Sequence, residues 1–252
     1  MFPNNRRKSP AITIRRRAGQ SLAEQWQDLI DDRLVMIVFG PGMVWMMVIA
    51  AWIQSTSPFS LRFWVCTAIV VTGFAAVACL RLIPKARNLV RGERGERVVA
   101  EQLEELRSHG FRCFHDIVRD GFNIDHVVVG PAGLFVIETK FRSGSGLIEF
   151  RNGHGIFVGG REEERDPLKQ ARGNARDLNQ MIQRDAGINV WAKPLVVFVG
   201  DWRVKNVCRD TDVRVVTASQ IGQFFSRQDQ PELTRHEIDL ICSHLKRTST
   251  AS

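Results

Sequence analysis

An α/β chain built on a mixed sheet, preceded by a two-helix membrane hairpin, is the architecture the sequence predicts. Three observations predict it. Leu34–Ile53 (LVMIVFGPGMVWMMVIAAWI) and Phe63–Leu80 (FWVCTAIVVTGFAAVACL) are apolar runs of 20 and 18 residues without a charge. From Gly92 onward, helical and strand periodicities alternate. Within that stretch Gly130-Pro131-Ala132-Gly133 separates two strongly β-forming segments, the signature of a hairpin.

Each apolar run is long enough to cross a hydrocarbon layer of roughly 30 Å at ~1.5 Å per helical residue. Neither keeps the polar stripe that a soluble core helix shows to solvent. Spans over 34–53 and 63–83 joined by the short connector Gln54–Arg62 form an antiparallel hairpin, segment 34–83. A cleaved secretory signal fits poorly, because 33 residues precede the first run. Gly40-Pro41-Gly42 is expected to kink the first helix. Arg6, Arg7, Lys8, Arg15, Arg16, Arg17 and Arg33 precede the hairpin, and Arg81, Lys85, Arg87, Arg91, Arg94 and Arg97 follow it, whereas the connector holds only Arg62. The positive-inside rule therefore places both termini in the cytoplasm, in a multi-pass protein of the cell membrane.

Residues 1–33 form a basic segment with seven basic and four acidic groups. Ser21-Leu22-Ala23-Glu24 has the spacing of a capping box, and Leu22, Trp26, Leu29 and Ile30 follow on one helical face. The segment reads as a helix lying on an anionic membrane surface, or as a frayed tail. Of the net charge of +8, +3 falls in 1–33 and +5 in 34–97, so residues 98–252 are neutral. The basic character belongs to the membrane segments, and no basic field advertises what the following domain binds. With 44% apolar and 25% charged residues, global disorder is excluded. Five cysteines without a C-x-x-C pair exclude a disulfide framework and a structural zinc site, and Cys66 and Cys79 read as small hydrophobes.

The domain after the hairpin, 84–200, is expected to open with a helix over Glu93–His109, stopped by Gly110. Strands follow at Phe111–Val118, Asn123–Val129 and Leu134–Lys140. Gly146–Phe150 and Gly155–Val158 read as a small hairpin around Asn152-Gly153. Asp166-Pro167 supplies an N-cap and a first-turn proline for a long helix ending at Gly187. Pro194–Val199 is a continuously apolar, buried strand. A C-terminal segment, 201–252, adds a strand at Val213–Val216 and an amphipathic helix over Pro231–Lys246.

Alternation on a strand puts Glu138 and Lys140 on the face shared by Leu134 and Val136, and Asp125 on that of Val127 and Val129. Two acids thus prolong apolar faces of neighbouring strands, where charge is costly unless compensated. A divalent cation compensates it, and paired carboxylates offer the hard oxygens that Mg²⁺ prefers. A lysine at the same site can act on an attacking water and on charge developing at phosphorus. The bland alternative is a salt bridge at a sheet edge, with Lys140 paired to Glu138 or Asp125.

Asp125, a twelve-residue gap and then Glu138-x-Lys140 resembles the D…E-x-K core of the restriction-endonuclease-like, PD-(D/E)xK, superfamily. The surrounding text resembles one member family specifically, the nuclease-related domain (NERD). Gly95-Glu96, Ile124–Lys140 (IDHVVVGPAGLFVIETK) and Pro167-Leu168-Lys169-Gln170 match its pieces in order, over about Arg91 to Val199. The resemblance implies an αβββαβ nuclease-like core. It also implies Asp125 and Glu138 as ligands of Mg²⁺ (or Mn²⁺) and Lys140 as the catalytic lysine. Glu96 becomes an auxiliary acid holding a water or a second ion, and Gln170 orients the site. Both also read as ordinary surface side chains.

His126, on the opposite strand face, reads as packed or solvent-facing. Arg161–Arg165 (REEER) reads as a solvated loop. Arg172 and Arg176 read as phosphate contacts or surface residues. Trp191 and Trp202 read as core packing or edge coverage. The expected function is membrane-anchored, metal-dependent hydrolysis of DNA or RNA on the cytoplasmic side. The alternative is an inactive nuclease fold that binds nucleic acid or protein at the membrane. A transporter fits poorly, because neither apolar run, 34–53 or 63–80, holds a charged residue that could mark a pathway.

Overall fold

Hydrophobic patterning of two kinds produces two compact units, one made of Gly19–Gly95 and the other containing Glu96–Ser252. The computed structural model describes residues 17–29, 35–54, 57–119, 122–151, 155–163, 165–205, 212–228 and 230–248. Several features read from the sequence lie outside them: Arg6, Arg7, Lys8, Arg15, Arg16, Arg33, Leu34, Ile30, Asn152-Gly153 and Glu164.

In the first unit, α1 (Gln20–Leu29) precedes α2 (Val35–Ile53) and the start of α3 (Pro58–Glu105). Both long helices carry a stretch long and apolar enough to cross a membrane. Met36, Phe39, Trp52, Phe59, Phe74 and Leu80 are all exposed, as side chains facing lipid are and those of a water-soluble fold avoid. Ala51, Ala68 and Ala75 are buried instead, small residues that let helix backbones approach closely. Trp45 Nε1 donates to Thr72 Oγ1 across α2 and α3 at 3.1 Å.

Two expectations are corrected here. The helix expected to begin at Glu93 is the continuation of α3, which runs unbroken from Pro58 through Pro84, Gly92 and Gly95. Three weak helix formers do not outweigh the Leu, Arg, Ala and Lys residues around them. Ser21, expected to cap the helix, instead lies inside α1, which starts at Gln20. Gly19, at φ +75°, makes the entry turn, and Ala23 N–H bonds back to its carbonyl at 3.0 Å.

In the second unit the last turns of α3 end in a 3₁₀ turn, Leu106–His109, and stop at Gly110 with φ 85°. Strands β1 (Arg112–Arg119), β2 (Phe122–Gly130) and β3 (Gly133–Arg151) follow as an antiparallel meander. Next come β4 (Gly155–Val158), β5 (Arg161–Glu162), α4 (Pro167–Ala186), β6 (Ala192–Lys205), β7 (Arg214–Thr217), α5 (Ile221–Ser226) and α6 (Arg235–Thr248). The sheet is mixed. It runs β1-β2-β3-β4-β5, with β6 parallel to β3 and β7 parallel to β6. The order of elements is that of an αβββαβ nuclease-like core with a hairpin extension.

Alternation sorts the strand residues onto two faces. Val127, Val129, Leu134 and Val136 pack against α4 and α6 through Leu178, Met181, Ile182, Ile241 and Leu245. Val128, Phe135, Ile137, Leu195 and Val197 pack against the end of α3 and α5 through Val99, Leu103 and Phe225. Helix α4 starts and stops as its sequence predicts: Asp166 Oδ1 accepts from Leu168 N–H at 2.9 Å, Pro167 opens the first turn and Gly187 adopts φ 68°. Helix α6 starts at Arg235, not at Pro231, because Thr234 and Glu237 cap it reciprocally.

β3 is far longer than the expected Leu134–Lys140. It continues through an irregularity between Phe141 and Ser145 into the strand of the small hairpin. Trp202 of β6 covers this kink, stacking on Gly144, Gly146 and Gly159 and donating its indole N–H to Arg142 O at 3.0 Å. Gly200 permits the approach, since a Cβ there would lie 2.4 Å from that same carbonyl oxygen.

Candidate active site

The register of the β2–β3 hairpin decides where the site lies. His126 pairs with Ile137 and Val127 with Val136. One step further, Asp125 stands opposite Glu138. There the ladder ends, and Asp125 Oδ2 itself accepts the Thr139 N–H at 2.7 Å. On the other side of β3, Glu138 and Lys140 align with Val196 and Phe198 of β6. Helix α4 lies over this face and contributes Gln170 and Asn174, one turn apart.

Lys140 Nζ donates to Glu138 Oε1 at 2.7 Å and to Gln170 Oε1 at 3.0 Å. Asn174 Nδ2 donates to the other oxygen, Glu138 Oε2, at 3.1 Å. Glu138 is 2% exposed, so the two bonds from Lys140 and Asn174 carry a nearly buried carboxylate. Glu96 on α3 is also buried, at 8% exposure. It is not an exposed helix charge, and it lies close enough to perturb Asp125.

The electrostatics of the cluster are unbalanced. Burial, then repulsion from Glu138 and Glu96, pushes the Asp125 carboxyl well above its ordinary range, while the Thr139 N–H and Lys140 oppose the shift. Burial likewise raises Glu138, against the opposing ammonium of Lys140 and the amide of Asn174. One lysine faces three acids. Excess negative charge held in a poorly solvated place is the condition a cation relieves, and hard carboxylate oxygens suit Mg²⁺ or Mn²⁺. Among the described residues no three His, Cys, Asp or Glu side chains converge into a ready-made metal cage. A site of two carboxylates completed by water and substrate oxygens is the pattern for Mg²⁺.

The four residues Asp125, Glu138, Lys140 and Gln170 are thus brought together, with Glu96 near Asp125. Asn174, which sequence reasoning missed, joins them. Its signal was its position four residues after Gln170 on a helix whose buried face is otherwise apolar. His126 is packed, fully buried, and bonded Nδ1 to Nδ1 with His115 at 2.9 Å; burial, then the neighbouring His115, pushes it well below the usual imidazole range. His115 Nε2 in turn meets Glu104 at 3.1 Å.

The Arg161–Arg165 run is not simply a solvated loop. Arg161 and Glu162 form β5, and the almost buried carboxylate of Glu163 takes a two-pronged bond from Arg142. Arg172 is engaged with Asp212 at 2.6 Å, and Arg176 is exposed. Trp202 covers the kink described above, whereas Trp191 is largely exposed.

The family model of the nuclease-related domain, NERD, matches residues 91–199. Residues 91–199 are a nuclease-related domain. The comparisons with curated proteins and with solved structures gave no match. Glu96, Asp125, Glu138, Lys140, Gln170 and Asn174 all fall inside the NERD domain, whereas β7, α5 and α6 lie beyond it.

Proposed function

We propose that the chain is a divalent-metal-dependent nuclease that hydrolyses phosphodiester bonds of DNA or RNA, anchored with both termini on the cytoplasmic side. The observation that carries this reading is the meeting of Asp125, Glu138 and Lys140 at the end of the β2–β3 ladder inside a nuclease-related domain. Asp125 and Glu138 would hold Mg²⁺ or Mn²⁺, which when bound would supply Lewis-acid polarisation of the phosphate and lower the pKa of an attacking water. The Lys140 ammonium, oriented by Gln170, steadies the attacking water and offsets charge growing on the phosphoryl oxygens. Asn174, holding one oxygen of Glu138 while Lys140 holds the other, fixes the rotamer of that carboxylate. Glu96 adds a third acid, as a water holder. Two apolar helices and the asymmetry of basic residues about them support the anchoring.

One observation favours the alternative, an inactive nuclease fold that binds nucleic acid or protein at the membrane: Lys140 already neutralises Glu138 in a closed ion pair. The full chain in detergent, incubated with labelled single- and double-stranded DNA and RNA, separates the two. Cleavage that needs Mg²⁺ or Mn²⁺ and vanishes with EDTA is the expected result. Absence of cleavage with every substrate and either metal overturns the enzymatic reading.

A further inference from the structure

Beyond the second apolar run, α3 keeps an apolar stripe for three more turns. At about 100° per residue, Cys79, Ile83, Ala86 and Val90 fall within ~60° of one another, and Arg87 and Arg91 run along one border. Arg81 and Lys85 lie on the far side of the helix by the same arithmetic. Trp26 of α1 lines the same cleft, which has a volume of about 410 Å³ and an almost wholly apolar wall.

Arg87 and Arg91 are both exposed, and neither has an ion-pair or hydrogen-bond partner among the described residues. Standing four residues apart on a helix, they repel each other unless an anion lies between them. Arg81 to Arg94 carries five basic groups against the single acid Glu93. The cleft therefore joins an apolar trough, just past the end of a span, to a pair of guanidiniums without an acidic partner among the side chains the structure describes. Phosphate chemistry satisfies the rim and an acyl chain satisfies the trough. A free anion serves only the first, and a neutral zwitterion brings its own compensating cation.

We propose that this cleft binds one acidic phospholipid of the cytoplasmic leaflet, its acyl chain against Ile83, Ala86, Val90 and Trp26 and its phosphate on Arg87 and Arg91. The inference rests on the membrane-anchored reading, so that reading is checked first, by extraction of membranes containing the full chain with alkaline carbonate. Release into the supernatant overturns the anchoring and the lipid site with it. For an integral chain, the detergent-solubilised protein is titrated with phosphatidylglycerol or phosphatidylcholine, and retained lipid is read by native mass spectrometry.

One phosphatidylglycerol is expected to bind in preference to phosphatidylcholine. The double substitution Arg87→Gln/Arg91→Gln should weaken it by about 30-fold, the factor expected of two basic groups near an anionic headgroup. Arg81→Gln/Lys85→Gln removes equal charge from the same helix and should change binding by less than ~3-fold. Ala86→Trp fills the trough without touching charge and should abolish retention, and glycerol phosphate alone should not compete. Equal losses in the two double variants mean diffuse attraction to charge and overturn the site. Equal affinity for the two lipids, or competition by glycerol phosphate, overturns it also, and in each case leaves the anchoring intact.

Discussion

Asp125→Asn should make the metal-free protein more stable at neutral pH. Asp125 and Glu138 are cross-strand neighbours one step past the His126–Ile137 pair, which puts their Cβ atoms about 5 Å apart. Two unit charges at that distance repel by about 3 kcal/mol at an effective dielectric of ~20. Lys140, bonded to Glu138 at 2.7 Å, cancels part of this, leaving on the order of 1–2 kcal/mol to be released by neutralising Asp125. Asn keeps an oxygen to accept the Thr139 N–H and nearly the same volume, so no bond need be lost. Differential scanning fluorimetry of the EDTA-treated protein should show a rise of roughly 3–6 °C. The pH dependence has a definite sign. A carboxyl raised by folding binds its proton more tightly when folded, so stability falls as pH rises from the ordinary values of 3.8 and 4.5 through the folded ones. The gain from Asp125→Asn should therefore shrink as pH is lowered toward 4. Mg²⁺ or Mn²⁺ should stabilise the wild type and leave the variant unmoved. A variant that melts lower than wild type without metal would refute the picture of an overcharged site and support a structural network that needs Asp125 ionised.

Lys140→Met should lower kcat by ~10²–10⁴ while substrate affinity changes little, measured by single-turnover cleavage against nucleic-acid binding on one preparation. Asn174→Ala removes a bond that favours the ionised form of Glu138, so the acidic limb of the kcat/KM profile should move to higher pH; an unmoved limb denies Asn174 its positioning role. Glu163→Gln breaks the clamp on Arg142 and should cost about 1–2 kcal/mol in urea melts, with local loosening of the β3–β4 hairpin seen by hydrogen exchange. Reporter fusions at Ser57 and after Ser252 should report outside and inside respectively, and a cytoplasmic signal at Ser57 ends the hairpin topology.

Asp125, Glu138 and Lys140 were legible without any resemblance because their geometry is local. Period-two alternation on two strands joined by a four-residue turn brings Asp125 and Glu138 face to face without reference to anything else. Gln170 was visible only through the family resemblance, since an exposed Gln on a polar helix face has no pattern of its own. Asn174 was missed for the complementary reason: it is a polar residue on the buried face, and its partner lies 36 positions away. The Arg142–Glu163 pair spans 21 positions and hid inside a charge run that looked solvated. The length of α3 was misread because Pro84, Gly92 and Gly95 carry weight in a window of sequence and little in a helix that long.

The parallel pairing of β3 with β6 has a consequence for how the protein comes into being. Leu134 meets Ala192, 58 positions later, whereas β2 and β3 meet across a tight turn. Local pairing closes early and distant pairing late, because the longer loop forfeits more chain entropy before any bond repays it. During synthesis the two acids and the lysine are therefore held by a half-built sheet, with neither α4 nor β6 to shield them. Gln170 and Asn174 arrive before the strand that fixes their helix against β3. A ribosome finishing this chain thus completes the candidate site only after some sixty residues beyond the hairpin have emerged.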